Sequence, residues 1–208
     1  MSELYCMKLV HAIFALFLLH ATHAVALETP EIFTEVSKIL KDDITSGNRE
    51  ARVVIVEYSS VGCPHCAEYR KYIFPDIKEK YLDNGLALYI TRDFPMNSAS
   101  VMGAMLARCN GEKREKVLDI LFDSQHVWAY KSDFQNHLKN IMLLSGMSED
   151  AFNNCINNSQ IRDELMNESY SAAKNYNIAG TPTLFINGRK VENVMSINEI
   201  ESIISANQ

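Results

Sequence analysis

Residues 53–66 read Val-Val-Ile-Val-Glu-Tyr-Ser-Ser-Val-Gly-Cys-Pro-His-Cys, an apolar run that leads into a pair of cysteines. The β-branched run at 53–56 lacks polar alternation, which is typical of a strand buried on both faces of a sheet. The motif Cys63-Pro64-His65-Cys66 follows and opens a helical stretch that runs towards Leu82. We therefore predict a central strand whose end delivers the cysteines to the start of a helix.

The position of Cys63 in the first turn of the predicted helix favours its thiolate. Unpaired backbone N–H groups and the positive end of the helix macrodipole face a sulfur at that place. His65 is expected to point its dipole, or its charge when protonated, towards the same sulfur, and such settings lower thiol pKa values from about 8.5 to roughly 3.5–7.5. Because a stabilised thiolate favours the reduced form, the Cys63–Cys66 disulfide is predicted to be oxidising. Cys66, one turn deeper, is predicted to be the shielded resolving or leaving thiol.

Two other interpretations of the cysteine pair are a structural disulfide and half of a zinc site. Zinc needs a second pair of ligands at suitable spacing, and none is visible in the sequence. We therefore predict redox chemistry at this motif and no metal site.

Length, charge and composition limit the classes of protein to which the chain can belong. Its 208 residues suit one domain, or one domain with a large insertion. The 20 Lys and Arg residues against 26 Asp and Glu residues give a net charge of -6, which argues against a nucleic-acid partner because phosphates need a basic surface. Hydrophobic residues at 47% are typical of a globular protein.

The first 26 residues have the pattern of a secretory signal peptide. An apolar run from Leu9 to Leu19 precedes the small residues Ala24-Val25-Ala26, and we expect cleavage after Ala26, with Ala24 as the second choice. The alternative is an uncleaved membrane anchor, because the uncharged window of nineteen residues nearly spans a bilayer. Either form would place the mature chain in an oxidising compartment.

Four cysteines remain after removal of residues 1–26, and their even number suits an oxidising compartment. If Cys63 pairs with Cys66, Cys109 and Cys155 are left for each other. Their disulfide would close a loop of about 46 residues and stabilise the fold by roughly 4 kcal/mol. The alternative is that Cys109 and Cys155 are two buried free thiols.

The segments on either side of the motif suggest the other elements. A helix capped at Thr29 is predicted to continue to Leu40, and residues 42–48 are predicted to be a loop. A second strand is predicted at 86–90. Residues 96–177 are helical in character and contain no convincing strand.

A hairpin and a helix are predicted to complete the chain. Residues 183–186 have strand character, and the Asn187-Gly188 pair after them is a strong signal for a two-residue hairpin turn. Ser196 and Glu199 form a capping-box pattern that opens a final amphipathic helix. The helical block therefore interrupts an α/β domain whose sheet is completed by C-terminal residues.

Three features together resemble the DsbA-like thiol:disulfide oxidoreductases of the thioredoxin superfamily. They are Cys63-Pro64-His65-Cys66 after a buried strand, the helical insertion, and Gly180-Thr181-Pro182-Thr183 before the terminal hairpin. The resemblance implies an α/β thioredoxin fold with a helical domain inserted between the second and third core strands. We place the thioredoxin-like domain at 27–95 and 177–208 and the inserted helical domain at 96–176.

The same resemblance assigns roles around the cysteine pair. It implies that Pro182 is cis and lies beside the active-site disulfide, and that Thr181 offers backbone hydrogen bonds to an extended substrate. Similar enzymes carry an acid at the position of Glu57, which would serve as a proton relay for Cys66 with a pKa raised by desolvation. The alternative is a strand-end glutamate whose carboxylate reaches solvent. The predicted catalytic residues are Cys63, Pro64, His65, Cys66 and Glu57.

The resemblance also implies an activity and partners. The protein would be a protein dithiol oxidase that donates the Cys63–Cys66 disulfide to newly exported proteins through a mixed disulfide at Cys63. Its clients would be unfolded exported proteins with free thiols, and a DsbB-like quinone-linked membrane protein would reoxidise it. No organic cofactor is implied, and we expect a monomer. The last four residues, Ser-Ala-Asn-Gln, are not an endoplasmic-reticulum retention tail, which favours a bacterial periplasm.

Three other functions stay open. Thr181 stands where valine is more usual in the family, and threonine there is also seen in related isomerases and reductases, so a disulfide isomerase or reductase is the main alternative. A copper-binding module would use Cys63, Cys66 and His65 as ligands, and a redox-inert binding domain is the third. Core packing or surface exposure accounts for three insertion residues to which we assign no role, namely His126, Trp128 and Tyr130.

Overall fold

The structure is a computed structural model that describes residues 35–207. The predicted signal peptide at 1–26 and the predicted helix start at Thr29 lie outside the described residues. Within 35–207, no helix is long and apolar enough to cross a membrane.

Five strands of the described chain form one mixed sheet. In chain order they are β1 (Ile44–Gly47), β2 (Val53–Ser59), β3 (Ala87–Asp93), β4 (Thr183–Ile186) and β5 (Arg189–Lys190). Across the sheet the order is β1-β3-β2-β4-β5. β2 is parallel to β3 and antiparallel to β4, and all but one of its residues are buried. The predicted central strand is thereby confirmed.

The predicted helix at the end of β2 is interrupted near its middle. α1 (Pro64–Tyr72) is followed by α2 (Phe74–Ile77) and by a π-helical turn at Lys78–Leu82. Pro75 has no N–H group to continue the hydrogen bonds of α1, so the helical pattern restarts at this point.

Six helices lie between β3 and β4, as the helical character of residues 96–177 predicts. A 3-10 turn at Gly111–Lys113 lies between the first two of them. β2, β3 and β4 are the predicted core strands, so the insertion follows the second of them, whereas the domain boundaries at 95/96 and 176/177 stay a prediction. The helices are α3 (Ser98–Arg108), α4 (Arg114–Asp123), α5 (Gln125–Trp128), α6 (Phe134–Leu144), α7 (Glu149–Ile156) and α8 (Ser159–Tyr176).

The prediction of a loop at 42–48 is wrong, because β1 lies there and pairs antiparallel with β3. Thr, Ser and Gly give this segment no apolar alternation, so its extended form depends on the backbone groups that β3 offers. Gly47 has a φ of 88°, and a Cβ atom there would lie 2.3 Å from the Ala87 carbonyl oxygen. The close approach of β1 to β3 therefore requires glycine at this position.

The predicted N-terminal helix does not reach Leu40, since the helical conformation in the described residues ends at Val36. The Arg92 guanidinium donates to the carbonyl oxygens of Val36 and Lys38 at 3.2 and 2.9 Å. The Leu40 N–H donates to Asp43 Oδ2 at 2.7 Å. These bonds engage backbone groups that a continuing helix would use internally.

The two faces of the sheet pack against different helices. α1, α2 and α9 (Ile197–Ser205) cover one face, with Tyr69 in its core. The C-terminal half of α8 covers the other face through Ala172. A third apolar cluster fills the insertion around Trp128 and includes Cys66. The core of the insertion therefore reaches α1.

The predicted hairpin turn and the predicted final helix are both present. Asn187 and Gly188 have φ values of 46° and 77°, which suit a two-residue hairpin turn. Ser196 Oγ accepts the Glu199 N–H at 3.3 Å and caps α9. The Glu199 carboxylate instead accepts N–H groups from the preceding loop, so only half of the predicted capping box forms.

A disulfide and a group of buried charges tie the insertion together and to the sheet. Cys109 and Cys155 form a disulfide that joins the end of α3 to α7 across a Cα–Cα distance of 6.0 Å. Asp93, at the end of β3, accepts hydrogen bonds from Arg108 at 2.9 Å and from Arg114. Because these three side chains are buried, their pairing attaches the first insertion helices to β3.

Candidate active site

Cys63 caps the N-terminus of α1, just beyond the end of β2. Its backbone is extended, with φ -89° and ψ 125°, and Pro64 occupies the first helical position, where no N–H is needed. Cys63 is half-buried and Cys66 is buried. The first sulfur therefore lies at the positive end of the helix, while the second faces the interior.

The contacts of the Cys63 sulfur stabilise its anion. The Cys66 thiol donates a hydrogen bond to this sulfur, and this bond has the largest effect on the pKa of Cys63. The Thr181 side chain has the next largest stabilising effect, and the backbone N–H groups of Cys66 and His65 also donate to the sulfur. Together these donors lower the pKa of Cys63 to about 5, although partial burial acts in the opposite direction. The Cys63 thiol is thus ionised at neutral pH.

Thr181 lies in contact with the Cys63 sulfur. Its carbonyl oxygen is 3.1 Å from Cys63 Sγ and accepts a hydrogen bond from the thiol. A thiolate has no proton to donate, so ionisation of Cys63 frees this carbonyl. The peptide bond between Thr181 and Pro182 is cis. Thr183 pairs with Tyr58 of β2, and this pairing brings the Thr181 carbonyl to the strand end that delivers Cys63.

The pKa of Cys66 is shifted in the opposite direction from that of Cys63. Burial raises its pKa well above the ordinary thiol value, and the hydrogen bond to Cys63 and the charge of Glu57 act in the same direction. The Ser60 N–H lies 3.4 Å from Cys66 Sγ and offsets part of this effect. One sulfur is therefore a stable anion and the other a basic, shielded thiol.

The His65 ring does not lie where its position in the motif predicts. Its side chain is 71% exposed, and Nδ1 is 3.3 Å from Glu68 Oε2 on the same helix. His65 reaches the Cys63 sulfur through its backbone N–H instead. In the first turn of a helix the N–H groups point along the axis towards the cap, while the side chains project outwards. The predicted stabilising role therefore belongs to the backbone of His65.

Glu57 lies on β2 and is only 3% exposed, so the alternative in which its carboxylate reaches solvent is wrong. Tyr89 Oη donates a hydrogen bond to Glu57 Oε2 at 2.9 Å. Burial raises the pKa of Glu57, and the carboxylate charge in turn raises the pKa of Cys66. Each of these two groups therefore responds to the protonation of the other.

Gln125 and Tyr130 of the insertion hold the loop that carries Cys63. Gln125 Nε2 donates to the carbonyl oxygens of Val61 at 2.8 Å and of Cys63 at 3.0 Å. Tyr130 Oη donates to the Gly62 carbonyl oxygen at 3.1 Å. These bonds join positions 62 to 68 residues apart, so no local pattern in the sequence signals them.

Replacing Gln125 with leucine is expected to destabilise the protein by about 1–3 kcal/mol, because the buried loop loses donors to two of its carbonyl groups. The pKa of Cys63 is also expected to rise, since the loop no longer fixes the sulfur against the N–H groups of α1. Equilibrium unfolding in urea measures the first effect. The pH dependence of Cys63 alkylation measures the second.

Gln160→Leu provides the matched control for this substitution. The Gln160 side chain is exposed and bonds to Glu164 on the same helix. Its removal is expected to change the free energy of unfolding by less than about 0.5 kcal/mol and to leave the Cys63 titration in place. Equal effects of the two substitutions would contradict the role given to Gln125.

The site as a whole brings Cys63, Cys66, Glu57 and Thr181 together, whereas Cys109 and Cys155 belong to the insertion. Among residues 35–207, no group of three or more His, Cys, Asp and Glu side chains is arranged to hold a metal ion. Two adjacent thiols of very different acidity are the arrangement that thiol–disulfide exchange uses.

Comparison with known proteins agrees with this chemistry. The thioredoxin family model matches residues 22–206. A Rickettsia bellii protein named "Putative protein-disulfide oxidoreductase" is 34% identical over 181 residues, which cover 85% of this chain and 70% of the relative. The Bacillus subtilis disulfide bond formation protein D is 23% identical over 187 residues, 79% of this chain and 77% of the relative. The chain spans 60% to 70% of the length of the Rickettsia relatives.

Solved structures have the same architecture. The crystal structure of Wolbachia pipientis alpha-DsbA1 matches with a TM-score of 0.75 at 31% identity, covering 83% of this chain and 94% of that one. BdbD from Bacillus subtilis matches with a TM-score of 0.67 at 20% identity, covering 78% and 91%, a likeness in fold alone. The predicted thioredoxin fold with a helical insertion is thereby confirmed. The chain belongs to the DsbA-like thiol:disulfide oxidoreductases of the thioredoxin superfamily.

Proposed function

We propose that the protein oxidises pairs of thiols in unfolded exported proteins by donating a disulfide between Cys63 and Cys66. The observation that carries this proposal is the pKa of Cys63, lowered to about 5, beside a Cys66 whose pKa is raised. A stabilised thiolate favours the reduced enzyme, which makes the disulfide a stronger oxidant. The names of the Rickettsia relatives support a substrate that is a protein disulfide or dithiol.

In the first step a client thiolate attacks Sγ of Cys63. The bond between the Cys63 and Cys66 sulfurs breaks, and Cys66 leaves with the electron pair. Glu57 supplies the proton that Cys66 takes up, since burial raises the pKa of both groups. The product is a mixed disulfide between the client and Cys63.

In the second step another thiolate of the client attacks the client sulfur of the mixed disulfide. The bond to Cys63 breaks, and Cys63 leaves as a thiolate that its lowered pKa makes a good leaving group at neutral pH. The client has lost two electrons and closed its own disulfide, and the enzyme holds them as one thiolate and one thiol. The backbone of Thr181, beside Pro182, is the proposed contact for the extended client.

A quinone-linked membrane protein of the DsbB type is the proposed reoxidant. It would accept two electrons from the reduced cysteine pair and restore the disulfide. We also propose that the chain acts as a monomer in the periplasm after removal of residues 1–26. Residues 27–95 and 177–208 would form the catalytic domain, and 96–176 the inserted domain.

A disulfide isomerase or reductase is the second candidate, and the observation that favours it is the threonine before Pro182. Such an enzyme needs a reduced cysteine pair in its resting state and a partner that supplies thiols. The redox state of Cys63 and Cys66 in protein taken directly from the export compartment separates the two functions. An oxidised pair supports the donor.

Redox titration of Cys63 and Cys66 against glutathione tests the proposed direction. We expect a potential well above the value of thioredoxin, about -270 mV, and in the range of the oxidising family members, roughly -120 to -180 mV. A potential close to that of thioredoxin would refute the donor role and favour the reductase.

A further inference from the structure

Three buried oxygen-bearing side chains form a row behind the cysteine pair. Tyr89 Oη lies 2.9 Å from Glu57 Oε2 and 3.1 Å from Tyr69 Oη. Glu57 is 3% exposed, Tyr89 1% and Tyr69 0%, so bulk water does not compete for these hydrogen bonds. We call this row, made of Glu57, Tyr89 and Tyr69, the hydroxyl chain.

The proton count fixes the direction of these hydrogen bonds when Glu57 is ionised. A carboxylate only accepts, and a phenol has one proton to donate. Tyr89 therefore donates to Glu57, and its own oxygen accepts the proton of Tyr69. Hydrogen bonds in such a row polarise one another, so the bond from Tyr69 makes Tyr89 a stronger donor to Glu57.

The fold places the members of the hydroxyl chain on three neighbouring elements, β2, β3 and α1. Glu57 on β2 lies opposite Thr91 of β3, so Tyr89, two residues earlier on β3, projects from the same face of the sheet. Tyr69 lies on α1, three residues after Cys66, and therefore on the same side of that helix. The hydroxyl chain thus connects the carboxyl to the helix that carries both sulfurs.

Charged groups around Glu57 act on it in both directions. Arg70 favours the carboxylate, and its guanidinium is held 2.7 Å from Asp119 of the insertion. Cys66 disfavours the carboxylate whenever its own thiolate forms, since each raises the pKa of the other. The Ser59 side chain has the largest of the effects that lower the pKa of Glu57. Arg70 and the donor bond from Tyr89 also lower it, and all three oppose the effect of burial.

We infer that Tyr89 and Tyr69 are positioning residues of the redox step, which hold the Glu57 carboxyl in place as the group that exchanges a proton with Cys66. The inference deepens the proposed function and rests on it in assigning the redox pair to Cys63 and Cys66 and the proton exchange to Glu57. When Cys66 attacks a mixed disulfide on Cys63, its proton passes to Glu57 and its sulfur forms the new bond. The other thiol leaves as a thiolate with the electron pair of the broken bond.

A chromogenic mixed disulfide measures this step directly. The reduced protein is treated with dithiobis(nitrobenzoate): the first thionitrobenzoate leaves as Cys63 forms the mixed disulfide, and release of the second coloured thiolate reports the attack by Cys66. In the unsubstituted protein the rate should rise with pH through an inflection that marks ionisation of Glu57. In Tyr89→Phe the inflection should move up by about one pH unit, and the rate below it should fall up to about tenfold, because the carboxylate loses a charged hydrogen bond.

Further variants separate a positioning role from a general effect on the fold. Tyr69→Phe should move the inflection in the same direction by less, because it removes the second member of the hydroxyl chain. Glu57→Gln should abolish the inflection, and adding Tyr89→Phe to that variant should change nothing more, because the phenol acts through the carboxyl. Tyr176→Phe removes a phenol from the opposite face of the sheet and should leave the profile unchanged.

Each outcome decides one of the proposals. An unshifted profile in Tyr89→Phe, or an equal loss of rate with and without Glu57, would overturn the role of the hydroxyl chain. Should Tyr89→Phe fail to fold, Tyr69→Phe decides in the same way. Failure of the unsubstituted protein to release the second thionitrobenzoate would instead overturn the redox pair, and with it the proposed function.

Discussion

A Cys63→Ser variant is expected to show no oxidation of client dithiols above the uncatalysed background. Without the Cys63 sulfur, no disulfide with Cys66 can form, and no sulfur at the helix N-terminus can receive a client thiolate. The measurement is the rate at which a reduced, unfolded client gains disulfides when the oxidised protein is added.

Cys66→Ser is the matched variant, and it should fail at a different point. Its Cys63 remains accessible and reactive. If one client thiol is first converted to an activated mixed disulfide, Cys63 should attack the client sulfur, and the client should stay attached to Cys63 and accumulate on a non-reducing gel. Oxidation by Cys63→Ser at the rate of the unsubstituted protein would show that Cys63 is not the donor, and no oxidation above background by either protein would favour the redox-inert binding domain.

Removal of the Cys109–Cys155 disulfide is expected to lower the free energy of unfolding by roughly 4 kcal/mol in the chain-entropy model. The bridge spans a sequence separation of 46 residues between α3 and α7, and its loss releases that loop in the unfolded chain. The double variant Cys109→Ala, Cys155→Ala, unfolded in urea beside the unsubstituted oxidised protein, measures the difference.

The reactivity of Cys63 serves as the internal control for that variant. None of the groups that lower the pKa of Cys63 belongs to α3 or α7, so its titration is expected to stay in place. A loss of stability below about 1 kcal/mol would contradict the stabilising role of the disulfide, because the loop-closure term alone exceeds it.

Elements with a local cause were predictable from the sequence. The apolar run at 53–56 needs burial on both faces, and Asn187 and Gly188 supply the positive φ angles of the hairpin turn. β1 was not predictable, because its four residues become a strand only through the backbone of β3. The break at Pro75 could have been predicted, since a proline inside a helical stretch removes a hydrogen bond.

The residues of the candidate site also divide into those that the sequence reveals and those that only the folded structure reveals. Cys63, Cys66 and Glu57 are visible in the sequence because each stands at a fixed distance from the buried strand. Gln125 and Tyr89 are not visible, because their partners are distant in the chain and only the packed fold selects them. The sequence also gives no signal for the orientation of a side-chain ring at the start of a helix. For this reason the prediction that the His65 imidazole points towards the Cys63 sulfur differs from the structure.

The lowered pKa of Cys63 also makes the stability of the reduced protein depend on pH. Its contribution is fully present above the ordinary thiol pKa of about 8.5 and is lost as the pH falls through the folded value of about 5. The oxidised protein has no such group. Between these two limits, therefore, a rising pH stabilises the reduced form relative to the disulfide, and this difference would drive the proposed disulfide donation.

Titration of the Cys63 thiolate by its ultraviolet absorbance tests this account most directly. The reduced protein is followed from acid to alkaline pH, with Cys63→Ser as the blank that removes the contribution of other groups. We predict a midpoint at about 5. A midpoint near about 8.5, the value of a free cysteine, would contradict the account.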